Sequence, residues 1–379
     1  MNSRPVFLMI LNDLGWFWSH RLPLARAIKN SGWNLHLATA GATADPKLQE
    51  MNITPHDVPR HGNSLNPLSH LMIVWEIARI IRVTRPDLIH AITLRYAFYA
   101  GLAARMTRTH GIVFTIAGLG TLFTHNDLRS RIIRACMIPV LRFAFARDDA
   151  RIIFQNPDDR RAFLNLNIVR EDQTSVIRGS GVDMAEFPFV PEPAETSPRV
   201  LFPSRLLREK GIHDFVAAAR IIKSRHIPAR FQVAGDIYPG NPHSVSMDEI
   251  KAWEGEGIIE YLGVRRDMPR VMAESALVVL PSYYGEGVPK VLLEAAATGR
   301  AIITCDMPGC REAVCHEKNG LLVPPRSPEA LAEAMQKLLI NAERRHELGK
   351  AGRAHVESDF TAEIVTQKTL SVYGELKKR

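Results

Sequence analysis

Two acidic residues eight positions apart, Glu286 and Glu294, stand in the segment Pro281-Ser-Tyr-Tyr-Gly-Glu-Gly-Val-Pro-Lys-Val-Leu-Leu-Glu294. An apolar strand-like run ends just before it, and a helix is expected from about Pro289. In open α/β sheets ligands bind at the carboxyl ends of strands, and the free N–H groups of a helix start hold phosphate. The backbone N–H groups of Gly287, Val288 and the residues beyond are therefore a candidate cradle for a phosphate. A carboxylate beside phosphate would be repelled, so Glu286 and Glu294 suit neutral hydroxyls, those of a sugar and a ribose. On spacing alone, a helix-capping and a solvated glutamate fit equally well.

Arg205 and Lys210 form the second group, in Phe202-Pro-Ser-Arg-Leu-Leu-Arg-Glu-Lys-Gly211. Arg205 follows a strand and Lys210-Gly211 opens a helix. Two fixed cations there can neutralise a departing diphosphate, as a metal ion does elsewhere. Such cations are common on surfaces, and it is their predicted place in the same sheet as the Glu286 loop that gives them weight. Asp-x-Asp is absent from the sequence, so a metal-bridged diphosphate has no support and no metal or other cofactor is expected. The pairs Asp148-Asp149 and Asp158-Asp159 read as helix-surface charge.

These groups need sheets to hold them. The 379 residues, 46% hydrophobic and 23% charged, suit a globular chain of two domains. From Val6 the pattern alternates strand and helix: strands at Val6–Leu11, Leu35–Ala40, Asp87–Ala91 and Ile112–Ile116, helices at Pro23–Asn30, Leu68–Thr84 and Tyr96–Met106. A second alternation starts at Arg199. This predicts α/β architecture, two Rossmann-like doubly wound domains with an interdomain cleft. The expected division is 1–185, a proline-rich linker 186–198, a nucleotide-binding domain 199–358, and a terminal helix 359–379 packing back towards the first domain. The loop after the first strand carries Gly15 and the bulky Trp16, Phe17 and Trp18, an acceptor-side wall or simply core. Cys136, Cys305, Cys310 and Cys315 lack metal-site spacing and read as reduced thiols.

The charge of +8 is uneven. Residues 1–180 hold 22 Lys and Arg against 13 Asp and Glu (+9), and the remainder 26 against 27 (−1). A basic first domain implies an anionic partner. Leu128–Arg147 mixes aromatic and apolar residues with arginine, which fits a helix lying on an anionic membrane surface; a core-facing helix with a basic outer face fits as well. Signal peptide and spanning helix are both unexpected, and no nucleic-acid motif appears.

Together, Arg205, Lys210-Gly211, Gly235-Asp236, Tyr261-Leu-Gly263 and Glu286-x7-Glu294 resemble family 4 glycosyltransferases of the GT-B fold. Arg21-Leu-Pro-Leu-Ala-Arg-Ala, His90-Ala-Ile-Thr-Leu-Arg95, Gly101-Leu-Ala-Ala-Arg105 and Gly118-Leu-Gly-Thr-Leu-Phe123 are similar to a bacterial branch. That branch extends undecaprenyl-diphosphate-linked sugars in O-antigen, capsule or protein-glycan assembly. The resemblance implies a retaining, metal-independent hexosyltransferase at the cytoplasmic face of the inner membrane. Its donor would be a nucleotide-sugar, UDP-N-acetylhexosamine first and GDP-mannose second, and its acceptor a polyprenyl-diphosphate-linked saccharide. It further implies that Arg205 and Lys210 bind the diphosphate, Glu286 the sugar and Glu294 the ribose. Gly15, Asp236 and Val264 would also line the donor, with Arg21, His90 and Arg95 on the acceptor side. His90 is expected at a strand end facing the cleft. Two departures stand out: many members have His-Gly where this chain has Ala117-Gly118, and the branch often has Lys where Arg95 stands. A nucleotide-sugar epimerase on the same frame remains the competing enzyme reading; a nucleic-acid-binding protein and an inactive partner subunit are the others.

Overall fold

The computed structural model describes residues 4–59, 66–120, 128–238 and 241–377. Residues 121–123 of the Gly118–Phe123 motif lie outside them. The chain divides into two compact units, Met1–Ser180 with Ala362–Arg379, and Gly181–Thr361.

In the first unit the elements run β1 (Val6–Ile10), α1 (Leu14–His20), α2 (Leu22–Asn30), β2 (Asn34–Thr39), α3 (Pro46–Glu50), β3 (Thr54–Asp57), α4 (Pro67–Thr84), β4 (Leu88–Ile92), α5 (Leu94–Thr107), β5 (Ile112–Ile116), α6 (Leu128–Phe145), β6 (Ala150–Phe154), α7 (Pro157–Asn165) and β7 (Thr174–Val176). Among the described residues these strands form a seven-stranded sheet in the order β3-β2-β1-β4-β5-β6-β7, parallel throughout. Strands β4, β5 and β6 are buried at every position, which is why they read as mostly apolar runs, each with one polar residue, rather than as alternating ones. One face packs under α4, α5 and α6. The other packs under α1 and α2, together with side chains of the terminal helix at Val365, Val372 and Tyr373.

The second unit runs β8 (Arg199–Pro203), α8 (Ile212–Ser224), β9 (Arg230–Ala234), α9 (Met247–Gly255), β10 (Glu260–Gly263), α10 (Met268–Ala273), β11 (Leu277–Leu280), α11 (Lys290–Ala297), β12 (Ala301–Cys305), α12 (Pro308–Ala313), β13 (Leu321–Val323), α13 (Pro328–Leu339) and α14 (Ala342–Asp359). After it, α15 (Ala362–Lys377) returns to the first unit. The described strands form a six-stranded sheet in the order β10-β9-β8-β11-β12-β13. The proline-rich stretch before β8 is held within this unit: Arg345 reaches Glu192 Oε1 with Nε at 2.9 Å, and both side chains are buried.

The first loop is the main departure from the sequence reading. Residues 14–20, expected as a loop, are the helix α1, because the Asp13 carboxylate accepts from Trp16 N at 3.1 Å and caps its start. Phe17 is buried in the core, and Trp18 donates Nε1 to Asp45 at 2.9 Å. A second correction concerns Asp159. Expected on a helix surface, it is buried in the first turn of α7 beside its cap Asn156, whose Nδ2 donates to it at 2.9 Å. Burial pushes its carboxyl up to about 7. All four cysteines are free thiols.

Candidate functional site

In each sheet the strand order reverses once, between β1 and β4 and between β8 and β11. Crossovers leave in opposite directions at such a point, so a crevice opens at the strands' carboxyl ends. In the second unit the loops after β8 and β11 carry Arg205, Lys210 and Glu286. Those two strands pair directly, with Leu277↔Val200 and Val278↔Leu201 in register. Lys210 and Glu286, 76 positions apart in sequence, are thereby placed side by side.

Lys210 ends a 3-10 turn, Arg208–Lys210, and is buried. Its Nζ lies 2.6 Å from both Oε1 and Oε2 of Glu286, and the Ser282 hydroxyl donates to Oε1 at 2.9 Å. The sequence reading assigned Lys210 to a diphosphate and Glu286 to hydroxyls; without ligand, each is occupied by the other. Side-chain exposures of 7% for Lys210 and 20% for Glu286 make this a largely desolvated pair. Such a pair has little net worth intact, but removing one partner leaves a buried charge without compensation. The same self-neutralisation recurs at Glu294, which accepts from Lys290 Nζ at 2.7 Å one helical turn earlier.

The backbone holds this arrangement closely. Gly211, at φ +81°, caps α8, and a Cβ there would stand 2.2 Å from the Pro281 carbonyl oxygen. Gly309 in α12 would place a Cβ 1.7 Å from the Gly287 oxygen. Tyr283 N donates to the Glu209 carbonyl at 2.9 Å, tying the two loops together. Helix α11 starts with Pro289 as its cap and no side chain bonded to its first N–H groups, as an anion-receiving helix start requires.

Arg205 is exposed, its guanidinium 5.8 Å from the Tyr238 ring centre. Asp236 is exposed after β9, where its carbonyl accepts from Leu206 N at 2.9 Å, and Val264 is 62% exposed after β10. Arg205, Asp236 and Val264 thus stand on the loops after β8, β9 and β10, at the same edge of the sheet as Glu286. Cys310 was passed over in the sequence because a lone cysteine has no spacing. It is buried near the pair, and burial, with the Glu286 charge, pushes its thiol up to about 12. It is therefore a packing thiol rather than a nucleophile.

In the first unit the three acceptor-side candidates do not share an environment. Arg95 is exposed in the first turn of α5. Arg21 is buried at the joint between α1 and α2. His90 is not at a strand end but in the middle of β4, fully buried. Its Nε2 is 2.7 Å from Thr115 Oγ1 and its Nδ1 2.7 Å from the hydroxyl of Tyr373 on α15. Neutral imidazole supplies the one donor and one acceptor this pair of contacts needs. Burial, reinforced by the Arg21 charge, holds its pKa well below the ordinary histidine value. Tyr373 was missed in the sequence, since nothing local marks a residue that acts 283 positions away. Gly15 sits in the first turn of α1, where an added Cβ would meet the Asp13 carboxylate at 3.0 Å.

Among the described residues, no group of three or more His, Cys, Asp or Glu side chains is placed to hold a metal ion. A concavity of about 570 Å³ lined by Arg4, Asn34, Arg85 and Asp87 lies at the amino ends of β1, β2 and β4. It is remote from the carboxyl edge where these folds bind ligands, and Asp87 is engaged there with the Val6 N–H at 2.7 Å.

Residues 183–355 match the family "Glycosyl transferases group 1", and residues 8–156 match "Glycosyl transferase 4-like". The N,N'-diacetylbacillosaminyl-diphospho-undecaprenol alpha-1,3-N-acetylgalactosaminyltransferase of Campylobacter jejuni is 25% identical over 372 residues, 94% of this chain and 95% of its own. In fold the chain resembles sucrose-phosphate synthase from Thermosynechococcus elongatus, with TM-score 0.80 at 21% identity, covering 99% of this chain and 100% of that one. Anabaena HepE in complex with UDP superimposes with TM-score 0.75 at 20% identity, covering 98% and 100%. With both halves matched and both sheets doubly wound, the chain belongs to the group 1, family 4-type glycosyltransferases of GT-B fold.

Proposed function

We propose that this glycosyltransferase moves an N-acetylhexosamine, with retention and without a metal ion, from a UDP-sugar to a hydroxyl of a polyprenyl-diphosphate-linked saccharide. The Lys210–Glu286 pair at the β8/β11 switch point carries the reading. It places a cation and a carboxylate within one side chain's reach of a helix start. On this assignment Arg205 and Lys210 take the charge that grows on the leaving diphosphate, and the α11 amino end adds its N–H groups. Glu286 turns from Lys210 to the hydroxyls of the transferred sugar, and Glu294 holds the ribose. Bond cleavage and attack then occur on one face of the sugar, the departing phosphate oxygen accepting the acceptor's proton. The UDP complex of HepE and the lipid-diphosphate acceptor in the name of the Campylobacter relative support the choice of donor and acceptor.

Placement at a membrane surface rests on two helices. On α4, Leu68, Leu71, Met72 and Trp75 are exposed on one stripe, and on α6 Leu128, Ile132 and Phe143 are exposed. Helices α4, α5 and α6 together hold eight arginines and one carboxylate, Glu76. Apolar side chains rimmed by arginine fit an anionic lipid interface. Among the described residues no helix is long and apolar enough to cross a membrane, so the contact is peripheral.

The test is a product assay with UDP-GlcNAc, UDP-GalNAc and GDP-mannose, each with a prenyl-diphosphate-linked saccharide and with EDTA. An α-linked product from one UDP-sugar, undiminished by EDTA, is expected. An inverted linkage or a metal requirement overturns the mechanism; transfer from GDP-mannose overturns the donor. Donor consumption without acceptor indicates epimerase chemistry. Co-sedimentation with phosphatidylglycerol vesicles, lost on Trp75→Ala with Phe143→Ala, tests the membrane surface.

A further inference from the structure

Arg21 is 3% exposed, yet its Nε and Nη2 have no hydrogen-bond partner. Its guanidinium lies 5.0 Å from the Trp16 ring centre, and no ion pair to it is found among the described residues. The polar groups that share its face of the sheet, His90, Thr115 and Tyr373, are neutral and bonded to one another. Two other buried arginines have a carboxylate, and a third, Arg300, is met by backbone carbonyls, donating Nη1 to Ser275 O at 2.9 Å and Nη2 to Thr298 O at 3.2 Å. Arg345 has Glu192, and Arg151 has Glu375 with Nε at 2.9 Å. A buried cation lacking a carboxylate is the most costly placement a side chain can take, unless something anionic meets it.

The position makes the missing partner specific. Arg21 is the N-cap of the nine-residue α2, and no side chain caps that helix start. It lies in the connection leaving the carboxyl end of β1, next to the switch point between β1 and β4. The neighbouring strand β2 ends at Thr39, whose Oγ1 is also buried without a partner. Thr39 alternates with Leu35 and Leu37, core residues of the α1/α2 face, so its side chain belongs to the same face as Arg21. A forked cation, a hydroxyl and an uncapped helix start are the complement of a tetrahedral oxyanion.

We propose that Arg21, with Thr39 and the amino end of α2, forms a phosphoryl-binding subsite within the first unit, separate from the Arg205/Lys210 pair of the second. Its ligand is one phosphate of a phosphate ester or diphosphate. It deepens the function proposed above by giving the lipid-linked acceptor's diphosphate a receptor of its own. Arg21 is a binding residue here; His90 and Tyr373 position it by keeping that face neutral.

The full chain is titrated with geranyl diphosphate and, separately, with UDP, following binding by calorimetry and unfolding by thermal shift. Arg21→Met is expected to weaken geranyl diphosphate by about tenfold or more, the worth of a lost charge-assisted hydrogen bond, with UDP within about twofold. Its midpoint without ligand should rise, because a buried charge with no partner has been removed; a merely structural arginine would give the opposite sign. A loss confined to UDP keeps the subsite and gives it to the donor's phosphate. Unchanged affinity for both ligands overturns the proposal, as does a falling midpoint with both affinities retained. Should Arg21→Met not fold, Thr39→Val is read in the same titrations, and a geranyl diphosphate affinity equal to wild type then counts against it. If the wild type binds no UDP, the donor reading fails while the geranyl diphosphate result still decides this one.

Discussion

Replacing Glu286 with glutamine should make the protein bind UDP more tightly while transferring sugar poorly. In the unliganded protein Lys210 Nζ is held at 2.6 Å by both carboxylate oxygens, so a donor diphosphate has to compete for that ammonium. Unit charges about 4 Å apart attract by about 4 kcal/mol at an effective dielectric of about 20. Desolvation cancels part of it, leaving roughly 1.5–3 kcal/mol for a charged hydrogen bond. If the diphosphate recovers about half of what the neutral amide no longer takes, affinity rises by about 0.75–1.5 kcal/mol, or roughly four- to twelvefold. The unliganded variant should also unfold about 4–8 °C lower, since an uncompensated Lys210 costs about 2 kcal/mol in a unit of this size. Added UDP should then raise its midpoint more than it raises that of the wild type. Calorimetry with UDP and thermal shift with and without UDP measure both effects. An affinity for UDP that is equal or weaker in Glu286→Gln refutes the idea that the pair must open for the donor.

Other substitutions probe the frame around that pair. Gly309→Ala is expected to abolish transfer and destabilise the second unit by more than about 3 kcal/mol, since its Cβ would have to occupy the Gly287 oxygen's place; near-wild-type activity would show that the loop yields freely. Tyr373→Phe removes the hydroxyl 2.7 Å from His90 Nδ1 and should cost about 1–2 kcal/mol, visible as a lower midpoint with donor affinity unchanged. For pH, His56 is held neutral to about 4 by burial, with the neighbouring His36 ring acting in the same direction. The unfolded chain takes up that proton near the ordinary histidine value, so stability should fall as pH drops from about 6.5 to 4. His56→Gln should flatten the slope in that window, and an unchanged slope would assign it to other groups.

The doubly wound architecture was legible because buried parallel strands are largely apolar runs: a strand at Ile112–Ile116, a second alternation starting at Arg199 and an apolar run ending before Pro281 all fall where the pattern puts them. The adjacency of the Lys210 and Glu286 loops followed from that topology. Their mutual pairing did not, because it depends on which group is nearest when ligand is absent. The α1 helix was missed because its signal is one residue, the Asp13 cap, ahead of a run of aromatics that lacks helical periodicity. His90 was misplaced for a related reason. A polar residue in an apolar strand looks like a site, and only the Tyr373 and Thr115 hydroxyls, both remote in sequence, show that its hydrogen bonds are satisfied inside the core. Asp159 was taken for surface charge because its neighbour Asp158 is in a basic stretch, and spacing does not tell a capping-turn carboxylate facing inward from one facing out.

The two units handle charge in opposite ways, and the difference bears on the metal-independent mechanism proposed above. In the second unit the two glutamates of the candidate site each have a lysine, Glu286 with Lys210 and Glu294 with Lys290. Both pairs are mostly buried, so the protein reaches a low-cost resting state before any ligand arrives. On the proposed assignment, donor binding would exchange one set of ion pairs for another, and the diphosphate would find Lys210 already largely desolvated. In the first unit no carboxylate among the described residues pairs with Arg21, and its Nε and Nη2 are buried without a partner. On this reading an anion that meets Arg21 relieves a buried charge, and its stabilisation should exceed what UDP gives by displacing an existing pair.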